Sequence, residues 1–139
     1  MKHAPFSKKG IAGWTGYAGT FNVSWGYNWD GGDGTLGNGA WKFPTQQHAT
    51  WPGWGRINKK YRYYNGRARP DHHFTFNEPE RSDQANMSVN KAIELWPRIE
   101  RLRVPLVSPA PATYGGWISD FMSKAINDRG YQVNYMGVH

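Results

Sequence analysis

Phe74-Thr75-Phe76-Asn77-Glu78-Pro79 sets a short β-prone run directly against a polar turn. Phe and Thr suit a pleated, half-buried backbone. Pro79 disfavours helical backbone at the residue before it, so Glu78 is expected to be extended, with its carboxylate at the strand's end. Downstream, Ser88 is a strong helix N-cap. Val89, Ala92, Ile93, Leu95 and Trp96 fall on one helical side, which Ile99 and Leu102 extend beyond Pro97. Pro97 predicts a kink or a break there. Val104 to Val107 reads as a strand closed by Ser108-Pro109. Gly115-Gly116 precede a second helix with the apolar stripe Trp117, Ile118, Phe121, Met122, Ala125 and Ile126, and Gly130 is placed to end it. Val133 to Val138 is a last strand. Strand, helix, strand, helix, strand argues for parallel βαβ units and an α/β fold.

Upstream the signals are shorter. Phe21 to Tyr27 is β-rich and ends in Asn28-Trp29-Asp30; alternation puts Trp25, Tyr27 and Trp29 on one face. The glycines from Gly31 to Gly39 predict a mobile loop. Trp41-Lys42-Phe43 is a short strand stopped by Pro44, and Pro52-Gly53-Trp54 opens a short helix through Ile57 and Tyr61. Tyr63 to His73 is polar and reads as loop. Residues 1–20 read as a loose leader, and residues 21–139 as one partial domain.

Composition narrows the function classes. Of 139 residues, 16% are aromatic, with 8 Trp and 8 Tyr, while 17 Gly and 9 Pro imply many loops. A loop-rich, Trp-rich chain suits sugar handling, because pyranose rings present apolar C–H faces to indole; each Trp is otherwise an ordinary core residue. The net charge of +7 raises nucleic acid as a partner. The charges are scattered, however, and no helix-turn-helix, zinc or RNA-recognition pattern accompanies them, so no specific nucleic-acid partner is expected. There is no cysteine, so disulfide and thiolate chemistry are excluded. No apolar run approaches a membrane span, and no signal peptide is visible, which leaves localisation open.

In a parallel α/β sheet, function collects at the C-terminal ends of the strands. Asn28, Asp30, Asn77, Glu78, Ser108 and His139 all fall at such ends. A carboxyl at Glu78, partly desolvated among aromatics, can protonate a leaving group. The plainer alternative is a turn whose Glu78 faces solvent or pairs with Arg81. His72-His73 lacks a third ligand at convincing spacing, so no metal is expected, and no cofactor motif is present. Gly-x-Ser-x-Gly and phosphate-loop patterns are both missing.

Several stretches resemble the glycosyl hydrolase catalytic-core proteins grouped with glycoside hydrolase family 128. They are Ser24-Trp25-Gly26-Tyr27-Asn28-Trp29, Trp51-Pro52-Gly53-Trp54, and the run from Phe76-Asn77-Glu78-Pro79 through Gln84-Ala85-Asn86-Met87-Ser88. Trp96-Pro97, Ser108-Pro109-Ala110-Pro111-Ala112, Trp117, Phe121-Met122 and Gly137-Val138-His139 follow in the family's order. The likeness covers roughly residues 21–139, the N-terminal part of such a domain. It implies a partial TIM-type (β/α)8 barrel with parallel strands and retaining hydrolysis of β-glucan, notably β-1,3-linked. It makes Glu78 the acid/base and Asn77 the partner of the sugar 2-hydroxyl. Tyr27, Asn28, Trp29 and His139 match positions near the expected cleft, so the implied partner is a polysaccharide or oligosaccharide. An extracellular location is usual for the family.

Three departures stand out. The nucleophile carboxylate of the family follows the histidine that matches His139, so it is expected to be missing here and the short chain to be inactive. Arg67 to His73 replaces an apolar run, and Asn134 stands where Asp is usual. A non-catalytic glucan-binding remnant, using a Trp/Tyr stacking platform, is the alternative function.

Overall fold

The structure, a computed structural model, describes residues 9–13, 15–31, 36, 41–63 and 72–139. The start of the expected leader, most of the expected glycine loop and residues 64–71 of the polar stretch lie outside these.

The wall of the molecule is a parallel array laid down in sequence order. β1 (Gly10–Ala12) pairs with β2 (Trp25–Tyr27), and β2 with β3 (Trp41–Lys42), all parallel. Parallel bridges continue the order: Thr45 to Phe74, His73 to Leu106, Asn77 to Ala110 and Val107 to Tyr135. Each segment therefore lies beside its predecessor in the chain, the arrangement that βαβ crossovers produce. β1 and a 3₁₀ turn at Thr15–Tyr17 lie inside the stretch expected as a loose leader. The signal was hidden because Gly10-Ile11-Ala12 is too short to show alternation. Gly10 is required there: a Cβ would collide with the Trp25 indole. The run from Phe21 begins its strand only at Trp25, because residues 18–22 turn instead, with Val23 N–H donating to Ala18 O.

Helices cover one face. α1 is Trp54–Tyr63, α2 Val89–Glu100 and α3 Gly116–Met122. Ser88 caps α2 as expected, its Oγ accepting from Lys91 N–H at 3.2 Å. Pro97 does not break α2. The helix runs through to Glu100, because Trp96 and Ile99 on either side are fully buried and hold the turn by packing. Trp96 packs against Phe76 and Phe121, with ring centroids 6.4 and 5.0 Å away, and its indole N–H reaches Gln132 O. These residues centre a core that takes in Ile57, Ile93, Leu106 and Ile118. Beyond α3 the chain widens into a π-helical segment, Ser123–Asp128. The widening shifts the register by part of a turn, so Ala125 stays buried while Ile126, expected on the apolar stripe, is exposed. Gly130 ends the segment with φ +64°, the left-handed conformation that glycine adopts without cost.

Two departures from the apolar pattern are absorbed by packing. His73 is fully buried in the wall, and His72 lies 4.1 Å from the Phe43 ring and 5.0 Å from Phe74. Burial pushes His72 down to about 4 and His73 to about 3, so both are neutral and serve as aromatic core. Asn134 accepts Leu106 N–H at 2.8 Å through Oδ1, an acceptor role open to either Asn or Asp.

Candidate active site

Glu78 sits where the 73–77 segment leaves the wall. Its N–H donates to Ala110 O at 2.8 Å, and its carbonyl accepts Arg81 N–H at 3.1 Å. The second bond closes a tight turn and the first ties it to the neighbouring segment; Glu78 stands at φ +43°, not in the extended conformation expected from Pro79. Proline favours extended backbone for its predecessor, and here the turn's hydrogen bonds outweigh that preference. A non-glycine residue there carries strain that its surroundings must offset, a condition that recurs at functional sites.

The side chain is a fifth exposed and has two partners. His139 Nδ1 lies 2.8 Å from Oε1, and Arg81 Nε 3.4 Å from Oε2. The pairing with Arg81 thus exists alongside the strand-end placement. Arg81 is itself held by Asp83 through bonds of 2.9 and 2.7 Å, and this contact keeps the Asp83 carboxyl below its usual range.

His139 arrives from the last wall segment. Ser108 N–H donates to Tyr135 O, and Gly137 N–H to Ser108 Oγ at 2.9 Å. A Cβ on Gly137 would come within 2.9 Å of Ser108 O and 3.1 Å of Ala110 Cβ, so glycine lets this segment lie close to its neighbour. Ser108 therefore supports the approach of His139 to Glu78.

Asn77 is buried next to Glu78. Its Oδ1 accepts the Trp29 indole N–H at 3.0 Å, and its Nδ2 donates to Gln84 Oε1 at 3.1 Å. Trp29 stands at φ +57° and meets Tyr27 edge-on at 5.4 Å. Tyr27 stacks on Phe74 at 4.4 Å and Trp25 on Phe74 at 5.9 Å, so Phe74 lies against both rings. Burial raises the Tyr27 hydroxyl above its usual range. Asn28 has a buried Oδ1 with no hydrogen-bond partner among the described residues. Asp30 turns away to Arg56, at 2.9 Å, and to its neighbour's N–H. Hydrogen bonds thus join Trp29 to Asn77 and His139 to Glu78; Tyr27 touches the group through Trp29, while Asn28 and Asp30 stand outside the bonded set. Gln84 had no assigned role in the sequence. Its partner is seven residues away across an irregular turn, where no periodicity signals contact. Among the described residues no group of three His, Cys, Asp or Glu side chains could hold a metal ion, and no helix is long and apolar enough to cross a membrane.

The sequence matches the family described as "Glycosyl hydrolase catalytic core" over residues 9–139, and the chain belongs to that family. Its structure resembles a GH128 (subgroup I) endo-β-1,3-glucanase from Amycolatopsis mediterranei in complex with laminaritriose. The TM-score is 0.73 and the identity 28%, covering 94% of this chain and 55% of that one. A mutant of the same enzyme matches with a TM-score of 0.71 and 30% identity, over 98% of this chain and 55% of that one. A curdlan-specific exo-β-1,3-glucanase of GH128 subgroup III from Blastomyces gilchristii shares the fold at a TM-score of 0.73 and 24% identity, over 98% and 62%. The chain thus spans little more than half the length of the first of these relatives. No curated protein sequence matches it.

Proposed function

We propose that this chain carries the acid/base half of a retaining β-1,3-glucan hydrolase site on part of a (β/α)8 barrel. The observation that carries the reading is the Glu78–His139 contact of 2.8 Å beside an Asn77 held by Trp29. Glu78 donates its proton to the glycosidic oxygen and then takes one from water, while Asn77 binds the 2-hydroxyl. His139 touches the same carboxylate and positions it. Tyr27, Asn28 and Trp29 line the sugar side. The substrate is a β-1,3-glucan or its oligosaccharides.

Retention requires a second carboxylate about 5–5.5 Å from the first. Nearby acids are engaged otherwise: Glu80 Oε1 accepts Thr113 N–H, Asp83 holds Arg81 and Asp30 holds Arg56. The nucleophile is assigned to no residue of this chain, which on this reading does not hydrolyse glucan alone. The stacking-platform alternative is less favoured, because Trp25 and Tyr27 both stack on Phe74.

The test uses a form extended with a relative's nucleophile-bearing segment. Glu78→Gln should lose about 10²–10⁴ in rate on β-glucan while still binding it. An activated aryl glycoside should suffer less, and azide should partly restore its turnover. Equal activity of Glu78→Gln and parent would remove Glu78 from the role, and hydrolysis by the 139-residue chain would overturn the incomplete-site account.

A further inference from the structure

We propose that Gln84 is a positioning residue that, together with Trp29, fixes which way the Asn77 carboxamide points. The inference rests on the reading of Asn77 as a sugar-binding group. The oxygen and nitrogen of a carboxamide are interchangeable in shape, so something chemical must choose between its two orientations. Trp29 makes that choice, because an indole nitrogen only donates. With Trp29 Nε1 3.0 Å away, the Asn77 atom facing it must be the oxygen. Nδ2 must then lie on the other side, where Gln84 Oε1 accepts one of its hydrogens at 3.1 Å. A flipped Asn77 would set N–H against N–H at Trp29, and the second bond would survive only if Gln84 turned its own amide as well.

The consequence is a directional site. Of the two Nδ2 hydrogens, Gln84 takes one, and the remaining one is for the ligand. A sugar hydroxyl at that hydrogen is bound as an acceptor, which leaves its own hydrogen free to face another group. Gln84 is itself placed by the turn that follows Glu78: its N–H donates to Arg81 O at 3.2 Å, and Ala85 N–H returns to Asn77 O at 3.2 Å. One turn thus sets both the Glu78 backbone and the Asn77 amide.

The 139-residue chain itself serves for the test, with ¹⁵N NMR of side-chain amide and indole groups and laminaritriose as the probe. In Gln84→Met the Asn77 Nδ2 resonances should shift and exchange faster with water. Gln84→Glu, which keeps an acceptor at the same reach, should restore them. Laminaritriose should bind about three- to tenfold more weakly to Gln84→Met than to the parent, the effect of one neutral hydrogen bond, and Gln84→Glu should recover most of that loss. Unmoved Asn77 resonances in a folded Gln84→Met would overturn the proposal, and so would equal binding by Gln84→Met and a parent that binds. A parent that shows no binding at millimolar laminaritriose would instead overturn the glucan reading, with the amide resonances still deciding the role of Gln84.

Discussion

Acidification should destabilise this chain through its paired histidines, and His72 gives the effect a magnitude. Burial holds its imidazole at about 4, against 6.5 for an ordinary histidine. Between those values the native ring stays neutral while the unfolded chain takes up a proton. The stabilisation that neutrality brings is therefore complete above pH 6.5 and drains away as the pH falls toward 4. The slope is about 1.4 kcal/mol per pH unit, which amounts to about 2 kcal/mol at pH 5. Stabilities of 5–15 kcal/mol are usual for domains, so this is a sizeable share. His73, held at about 3, adds a second contribution of the same sign. Urea unfolding followed by Trp fluorescence at pH 7, 6 and 5 would measure the loss in the parent and in His72→Phe. Phenylalanine suits the neighbours Trp25, Phe43, Phe74 and Tyr135 and cannot take up a proton. The variant should lose about 2 kcal/mol less than the parent between pH 7 and 5. Parallel stability–pH curves for the two proteins would refute the argument.

Ser88→Ala should cost about 0.5–2 kcal/mol in the same unfolding assay, because the Lys91 N–H loses its cap. Trp96→Ala should cost about 3–5 kcal/mol, as it empties the centre of the helix-facing core and leaves Gln132 O without its donor. Gly137→Ala should cost about 1–3 kcal/mol by overpacking against Ser108 and Ala110. It should also move the His139 ring resonances, since the displaced segment carries that ring to Glu78.

Much of this architecture is legible where a pattern spans a whole element. The cap at Ser88, the stripe from Val89 to Ile99 and the glycine at 130 each follow from local rules, and the parallel order follows from strand–helix alternation. Legibility fails where tertiary packing outweighs local preference. Pro97 reads as a break but is held by Trp96 and Ile99. His72 and His73 read as polar loop, but His73 is buried in the wall and His72 packs half-buried among aromatic rings. β1 is three residues long and owes its place to a parallel neighbour fifteen residues on. The site divides in the same way. Asn77 and Glu78 stand out as an adjacent pair, whereas the contacts Trp29–Asn77 and His139–Glu78 span 48 and 61 residues, and no spacing rule reaches that far.

The in-sequence order of the wall also sets how readily each part opens. The 73–77 segment has a bridge to Thr45 on one side and to Leu106 and Ala110 on the other. The segment at Tyr135 bridges Val107 on one side alone among the described residues, and Tyr135, Met136 and Val138 around it are exposed. Its amides should exchange with solvent at lower opening free energy than those at 73–78. Glu78 is thus anchored in a segment bridged on both sides, and the histidine that meets it is carried by one bridged on a single side among the described residues. The lifetime of their contact should follow the opening of the 135–139 segment rather than that of the acid's own turn.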